Sequence, residues 1–416
     1  MKKSPLYLHF IPHGFEKTVI DSQVVVPALK LKSEGCVVHL VFLEPFFDWL
    51  FHSLPWMGLD LKGRTCGLSY TCLPRFPRNN FGLNTLMMGF YLMVPLIGGR
   101  SVVVHARGLQ GAAWIVPLKK LFRNLALICD VRGIEWEEYA YTASKAGQVP
   151  LNLVQREWRH RLELLASQAL KFSDACFCVS KSMMTYLQDW MPKKDPKRWE
   201  YVPCAVEVTR FSSALASRDQ SRSEFKITDR FVVVYSGAFR DWQMPLETLQ
   251  CFKLIQELDP TAFFLCLTPD VKEFSNLLDR EKIDLNDRLV CRVEHREIEK
   301  YLTMGDVGIL LREENPLNAY SCPTKFAEYL ASGLHVVTTA AIRDVSEVVR
   351  KHKIGTILSN LKDKADTSKQ IESVLAKSKV TSNRINLSTQ CAQSLYDWSR
   401  YTPIIKKWYI DLTFNP

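Results

Sequence analysis

The stretch SCPTKFAEYLASGLHVVTT, residues 321–339, decides how this chain is read. Pro323 suits a first helical turn, where its missing N–H is not needed and its φ is already set. Phe326, Tyr329 and Leu330 recur at helical spacing as an apolar stripe, and Gly333 is placed to end the helix as a C′ glycine. The run 334–339 is apolar and β-branched and reads as a buried strand. A short helix therefore runs straight into a buried strand. Lys325 and Glu328 share one face near the helix N-terminus, close to Ser321 and Thr324, where free N–H groups and the helix dipole attract anions. That placement suits a phosphate and a polyol. On these residues alone, an i,i+3 surface ion pair worth about 0.2–0.5 kcal/mol explains the spacing equally well.

Outward from this segment, short β-branched runs alternate with helical stretches along the chain. Residues 6–11, 37–42, 102–105, 126–130 and 175–179 read as strands, with helices such as 21–33 and 152–172 between them. The rhythm repeats at 231–235, 262–267, 289–293, 307–311 and 334–339. Strands alternating with helices imply parallel sheets. Between the halves, Pro192-Lys193-Lys194-Asp195-Pro196-Lys197-Arg198 is a charged, proline-bearing loop, and the polar run 212–223 follows it, so a domain boundary falls within about 206–223. The expected class is α/β, with two doubly wound, Rossmann-like parallel-sheet domains facing a cleft and ligands at the carboxyl ends of the strands.

The chain has 416 residues, of which 47% are hydrophobic and 24% charged, with a formal net charge of +10. That length allows about two or three domains, and the composition excludes both disorder and a polytopic membrane protein. The positive charge favours anionic partners such as nucleic acid, acidic lipid or phosphorylated small molecules. Nucleic acid is set aside because no zinc-finger spacing, RNP pattern or heptad-plus-basic region is present. The cysteines form no CxxC pairs, and Cys129, Cys176, Cys178 and Cys266 sit inside apolar runs, which fits a reducing, cytoplasmic home. Residues 83–97, LNTLMMGFYLMVPLI, fall short of the roughly 20 residues a membrane span needs. They read either as a buried helix or as an amphipathic segment docking on an anionic surface, with Arg75, Arg78 and Arg100 flanking it.

Several segments, taken in order, resemble the retaining GT-B glycosyltransferases of the large group 1, family 4-like class. Pro323-Thr324-Lys325-Phe326-Ala327-Glu328-Tyr329-Leu330-Ala331-Ser332-Gly333 is similar to that family's P-x-K-x-x-E-Y-x-A-x-G segment. Ser173-Asp174-Ala175 with Val179-Ser180, and Val202-Pro203-Cys204-Ala205-Val206-Glu207 with Arg210-Phe211, resemble its next most regular stretches. Tyr235-Ser236-Gly237 stands where its glycine-bearing loop belongs, and Tyr396-Asp397-Trp398 to Tyr409 resembles its closing helix. The resemblance implies an acceptor-binding domain over 1–205, a nucleotide-sugar-binding domain over 206–390 and a helix over 391–416 that crosses back to the first domain. It implies that Lys325, with Gly237, Arg240, Ser321 and Thr324, holds a nucleotide diphosphate, and that Glu328 binds the ribose.

The expected reaction is transfer of a sugar from a nucleotide sugar, of UDP or GDP type, to a glycan or lipid-linked acceptor with retention, in bacterial surface polysaccharide synthesis. No further cofactor is implied, and no metal: there is no Asp-x-Asp motif and no cluster with metal-ligand spacing. A peripheral place at the inner face of an anionic membrane is expected through residues 83–97 and their flanking arginines. The chain departs from the family pattern at Tyr320, where a glutamate is frequent, at Arg132, near the place of a histidine, and at His335, where proline is usual. Arg240 is also shifted from the family's basic pair. A non-catalytic nucleotide-sugar-binding or partner subunit is therefore the alternative, with a UDP-sugar epimerase of similar fold behind it.

At the strand ends of the first domain, His105, Arg107, Asp130 and Arg132 are the candidates for contact with the transferred sugar or acceptor, against fold-supporting ion pairs such as Asp130 with an arginine. Glu135, Glu137 and Glu138 read as a solvated helix start or as the source of an acceptor base. His13-Gly14 reads as a turn or an acceptor-side loop, and His295 as a packing histidine.

Overall fold

The computed structural model describes residues 4–12, 19–52, 65–76, 80–144, 149–191, 198–359, 361, 363–378 and 382–414. The chain forms two compact units, one made of Met1–Pro203 with Trp398–Pro416 and the other of Cys204–Asp397. The units divide at 203/204 and the chain re-enters the first at Trp398, where residues 206 and 391 were expected from the sequence. His13-Gly14, Arg78 and residues 192–197 of the charged loop lie outside the described residues.

In the first unit, β1 (Leu6–Ile11), β2 (Val38–Pro45), β3 (Tyr70–Arg75), β4 (Val102–Arg107), β5 (Leu125–Val131), β6 (Ala175–Cys178) and β7 (Trp199–Tyr201) pair in parallel in the order β3-β2-β1-β4-β5-β6-β7. β5 and β6 are buried along their whole length, as central strands covered by helices on both faces must be. The long helix Leu153–Phe172 starts with a capping box: the Asn152 side chain accepts from the Gln155 N–H at 2.9 Å, and Gln155 Oε1 accepts from the Asn152 N–H at 2.9 Å. The helix read at 21–33 has a wide π turn, Asp21–Val25, before its α-helical part, Val26–Ser33. Pro27, at the start of the α-helical part, cannot donate to the preceding turn, and the wider turn accommodates that lost bond.

The helix Trp398–Phe414 belongs to the first unit despite its place at the end of the chain. Its Trp398 Nε1 donates to the Ser22 carbonyl at 3.0 Å, its Thr402 hydroxyl meets Glu34 at 2.9 Å, and its Tyr409 stacks on Tyr7 at 5.1 Å between ring centroids. Trp408 Nε1 donates to Glu200 at 3.1 Å.

The second unit repeats the plan with β8 (Phe231–Ser236), β9 (Ala262–Leu267), β10 (Arg288–Cys291), β11 (Val307–Leu310), β12 (His335–Thr339) and β13 (Gly355–Leu358) in the order β10-β9-β8-β11-β12-β13, again parallel. Alternation along β8 sends Val232 and Val234 into one apolar core and Val233 and Tyr235 into the other, so the sheet is packed on both faces. Thr324–Ala331 is the short helix read from the sequence, and Gly333 follows it at φ +72°, the left-handed geometry that closes a helix best with glycine. His335 is buried in β12 with Nε2 2.9 Å from the Thr356 hydroxyl, and burial pushes its pKa down to about 4, so it is neutral. Among the described residues, no helix is long and apolar enough to cross a membrane.

Candidate functional site

In the second unit the strand order reverses between β8 and β11, and at such a point the carboxyl ends of the strands leave room for a ligand. Tyr329, on the helix Thr324–Ala331, fixes that helix there: its hydroxyl accepts from the Ser236 N–H at the end of β8 at 2.8 Å and lies 3.4 Å from the Ile309 carbonyl of β11. Gly237 follows β8. A Cβ at this position would stand 2.5 Å from Gln243 Oε1 and 2.9 Å from the Tyr235 hydroxyl, so any larger residue would have to displace these side chains.

Two cations meet at this edge. Arg312, two residues past β11, is 6% exposed and donates through Nη1 to the Leu311 carbonyl at 2.7 Å. Among the described residues it has no carboxylate partner, and burial lowers its pKa. Lys325 is half-buried in the first turn of the helix. Burial, and then the Arg312 guanidinium, push its pKa down to about 8, while Glu328 opposes them. Glu328, 6% exposed, has Oε1 3.7 Å from His295 Nε2.

The remaining residues expected in this group vary in exposure. Ser321 donates from its hydroxyl to the Asn318 carbonyl at 2.9 Å, and Thr324 opens the helix. Arg240 is 51% exposed at the surface and stands 3.8 Å from Asp270. Tyr320 lies beneath the Arg343 guanidinium, 5.0 Å from ring centroid to Cζ. Arg312 and His295 are thus brought to Lys325 and Glu328 by the fold, and neither carries a local sequence signal that would have paired it with them.

The candidates of the first unit also converge, as one buried network. β4 and β5 set Arg107 beside Asp130 in register. His105 is held by the Tyr409 hydroxyl, 2.8 Å from Nδ1, and its Nε2 lies 3.5 Å from Asp130 Oδ2. The same Oδ2 accepts from Arg132 Nε at 2.7 Å. Burial would raise the Asp130 pKa, but the arginine and histidine contacts outweigh it and hold the carboxyl well below the usual range. His9 stacks on His105 at 4.5 Å, and burial, followed by the neighbouring His105 ring, keeps it neutral.

His9, His105 and Asp130 offer ligand atoms within 4.8 Å of one another, the group among the described residues that could hold a metal ion. No spacing in the sequence announces it, because its members come from three strands. An ion there would have to compete with Arg132 for the Asp130 carboxylate.

The three glutamates after β5 play different parts. Glu135 caps the helix Leu109–Leu121, accepting from the Leu109 N–H at 2.8 Å and the Gln110 N–H at 3.3 Å. Burial raises its pKa to about 7 even though these bonds favour the ionised form. Glu137 pairs with Arg159 at 3.0 Å, and Glu138 is exposed.

Residues 217–390 match the model of the family described as glycosyl transferases group 1. No curated protein matches the chain by sequence. Among solved structures, HepE of Anabaena, crystallised with UDP, is similar at 11% identity and a TM-score of 0.69, over 98% of this chain and 100% of that one. A glycosyltransferase from Rickettsia africae is similar at 10% identity and 0.68, over the full length of both. The catalytic domain of starch synthase IV from Arabidopsis thaliana, bound to ADP and acarbose, is similar at 11% identity and 0.64, over 99% of this chain and 100% of that one. Residues 217–390 thus resemble a glycosyl transferases group 1 domain, and the two Rossmann-like units together have the GT-B fold.

Proposed function

We propose that the protein transfers a sugar from a nucleotide sugar to a glycan or lipid-linked acceptor, with retention and without a required divalent metal. The observation that carries this reading is the pair Arg312 and Lys325, two cations that have no ion-pair partner among the described residues, at the switch point of the second sheet. A buried guanidinium and a lysine with a lowered pKa are costly unless an anion completes them. A diphosphate does so, with the N-terminus of the Thr324–Ala331 helix adding its free N–H groups. As the sugar leaves, charge builds on the diphosphate, and fixed cations stabilise it without reorganising. Glu328 takes the ribose hydroxyls, and His295 orients it.

UDP is the first nucleotide to try, because HepE binds UDP and UDP-glucose; ADP, bound to starch synthase IV, is the second. The acceptor is held by the first unit, and the helix Phe81–Ile97, whose Leu86, Phe90, Val94 and Ile97 are exposed, rests on an anionic membrane surface. Liposome flotation tests that contact, expected to rise with anionic lipid and fall with salt. Calorimetric titration of UDP tests the site: Lys325→Ala and Glu328→Ala should each weaken binding about 10-fold to 100-fold. Unchanged affinity in both would remove the pair from the nucleotide site, and transfer abolished by EDTA and restored by Mn²⁺ would refute metal independence.

A second reading is a nucleotide-sugar-binding subunit without turnover. It draws on Tyr320, whose ring lies under Arg343 where a carboxylate is frequent in the family. Product analysis with a labelled nucleotide sugar separates the two, since only the first reading yields a new glycosidic bond.

A further inference from the structure

Beyond the carboxyl ends of β2 and β3 in the first unit lies an open cavity of about 890 Å³. One wall is aromatic: Phe46 meets Phe47 edge-on at 5.7 Å and stacks near Phe76 at 6.3 Å. The other wall is a face of the helix Leu153–Phe172 that carries Val154, Glu157, Trp158 and Arg161, at the i, i+3, i+4, i+7 spacing of one stripe. This stripe is separate from the buried one, Leu162, Ala166, Ala169 and Leu170, that packs on the core. Phe47 is 66% exposed and Val154 is an exposed large apolar residue as well, so the cavity leaves apolar surface in water that the fold does not need there.

Its charge is placed selectively. Arg161 stands 5.4 Å over the Trp158 ring and makes no ion pair among the described residues. Arg75, at the end of β3, reaches into the same cavity, with Nη1 3.4 Å from the Pro12 carbonyl. Among the described lining residues Glu157 is the one carboxylate, a single helical turn before Arg161, and with Arg75 and Arg161 these residues carry a net positive charge. The polar groups of the lining, Arg75, Arg161, Glu157, Tyr139 and Trp158, sit beside the apolar surface of Phe46, Phe47, Phe76 and Val154, which an acyl chain covers and a saccharide's hydroxyls do not pair with. The wall is also tied to the apolar helix Phe81–Ile97, because the Phe76 N–H donates to Asn84 Oδ1 at 3.0 Å.

We infer that this cavity binds a lipid phosphate, its chain along Phe46, Phe47, Phe76 and Trp158 and its phosphate at Arg161 and Arg75. The inference deepens the lipid-linked branch of the proposed function and rests on it for the ligand's role as acceptor; the binding itself requires no nucleotide. An amphiphile of this kind matches both halves of the lining, since burying the chain removes exposed apolar surface and the guanidiniums make charge-assisted bonds to phosphate.

The test titrates farnesyl phosphate, farnesol, inorganic phosphate and a water-soluble oligosaccharide into the full chain, below the micelle concentration, with Trp fluorescence as the readout. Farnesyl phosphate should bind at least about tenfold more tightly than farnesol or phosphate, and Arg161→Glu and Phe47→Asp should each weaken it by about tenfold. UDP affinity, measured on the same samples, should stay unchanged in both variants. Equal binding of farnesyl phosphate to wild type and both variants overturns the inference, as does farnesol binding as tightly, or a preference for the oligosaccharide. Should Phe47→Asp lower the melting temperature, Arg161→Glu, on an exposed helix face, decides alone. Loss of UDP binding in the wild type would instead sink the nucleotide reading and leave the cavity result standing.

Discussion

A lysine with a pKa near 8 changes charge within the range where enzymes are assayed. Lys325 carries its proton in the unfolded chain up to its usual pKa of 10.5 but holds it in the folded unit only to about 8, so its burial costs stability below pH 8 and that cost fades as pH rises toward 10.5. A bound diphosphate reverses the preference, because it favours the charged ammonium. UDP affinity should therefore be flat up to about pH 8 and then fall by up to about tenfold per pH unit, as followed by calorimetry from pH 6.5 to 9.5. Lys325→Met should bind more weakly at pH 7, lose the pH dependence, and melt at a higher temperature than wild type. A decline of the same slope in the mutant would assign the titration to another group. Helical spacing put the lysine and the glutamate on one face next to a helix start, where a surface ion pair explained it equally well, and their proposed roles at the nucleotide came from the family resemblance. Arg312 and His295 were not legible in the sequence, since a single charged residue after a short strand looks like a surface residue until Tyr235 and Tyr329 are seen beside it.

Elements read well where the chain is buried on both sides and poorly at the sheet margins. β3, β7 and β13, the strands the sequence did not announce, are all edge strands, and they are mostly half-buried. An edge strand needs no continuous apolar run, and β3 carries Pro74, which only an edge tolerates easily. The start of the helix Leu109–Leu121 shows how two elements fix each other. Gly108 turns into it at φ +82°, and a Cβ there would stand 2.9 Å from Glu135 Oε1. Glu135 has a folded pKa of about 7, above its usual 4.5, so the stability it contributes is complete below pH 4.5 and is lost as pH rises through 7. Glu135→Gln keeps an oxygen for the Leu109 N–H and cannot ionise. It should match wild type in thermal melts near pH 4.5 and exceed it at pH 8, and equal melting temperatures at both values would disprove the titration.

At the scale of the molecule, each unit is held by a buried polar centre of its own. In the second unit Asp306 accepts from Arg218 at 2.7 Å, from Arg222 at 3.2 Å and from the Val232 N–H at 2.8 Å, while Arg384 donates to its carbonyl. One residue thereby ties helices near the two ends of the family-matched segment to the sheet, the first through its carboxylate and the last through its carbonyl. Asp306→Asn leaves these arginines without their counter-charge and should cost about 3–5 kcal/mol in urea denaturation; a loss below about 1 kcal/mol would mean that the cluster is dispensable. The first unit's centre, His105 with Asp130 and Arg132, depends on Tyr409, a residue from the last helix of the chain. On the ribosome this means that the first half of the protein emerges incomplete. Its Tyr7 and His105 wait for partners that are translated only after the whole second unit, so the second half can finish folding while the first is still open to chaperones and proteases.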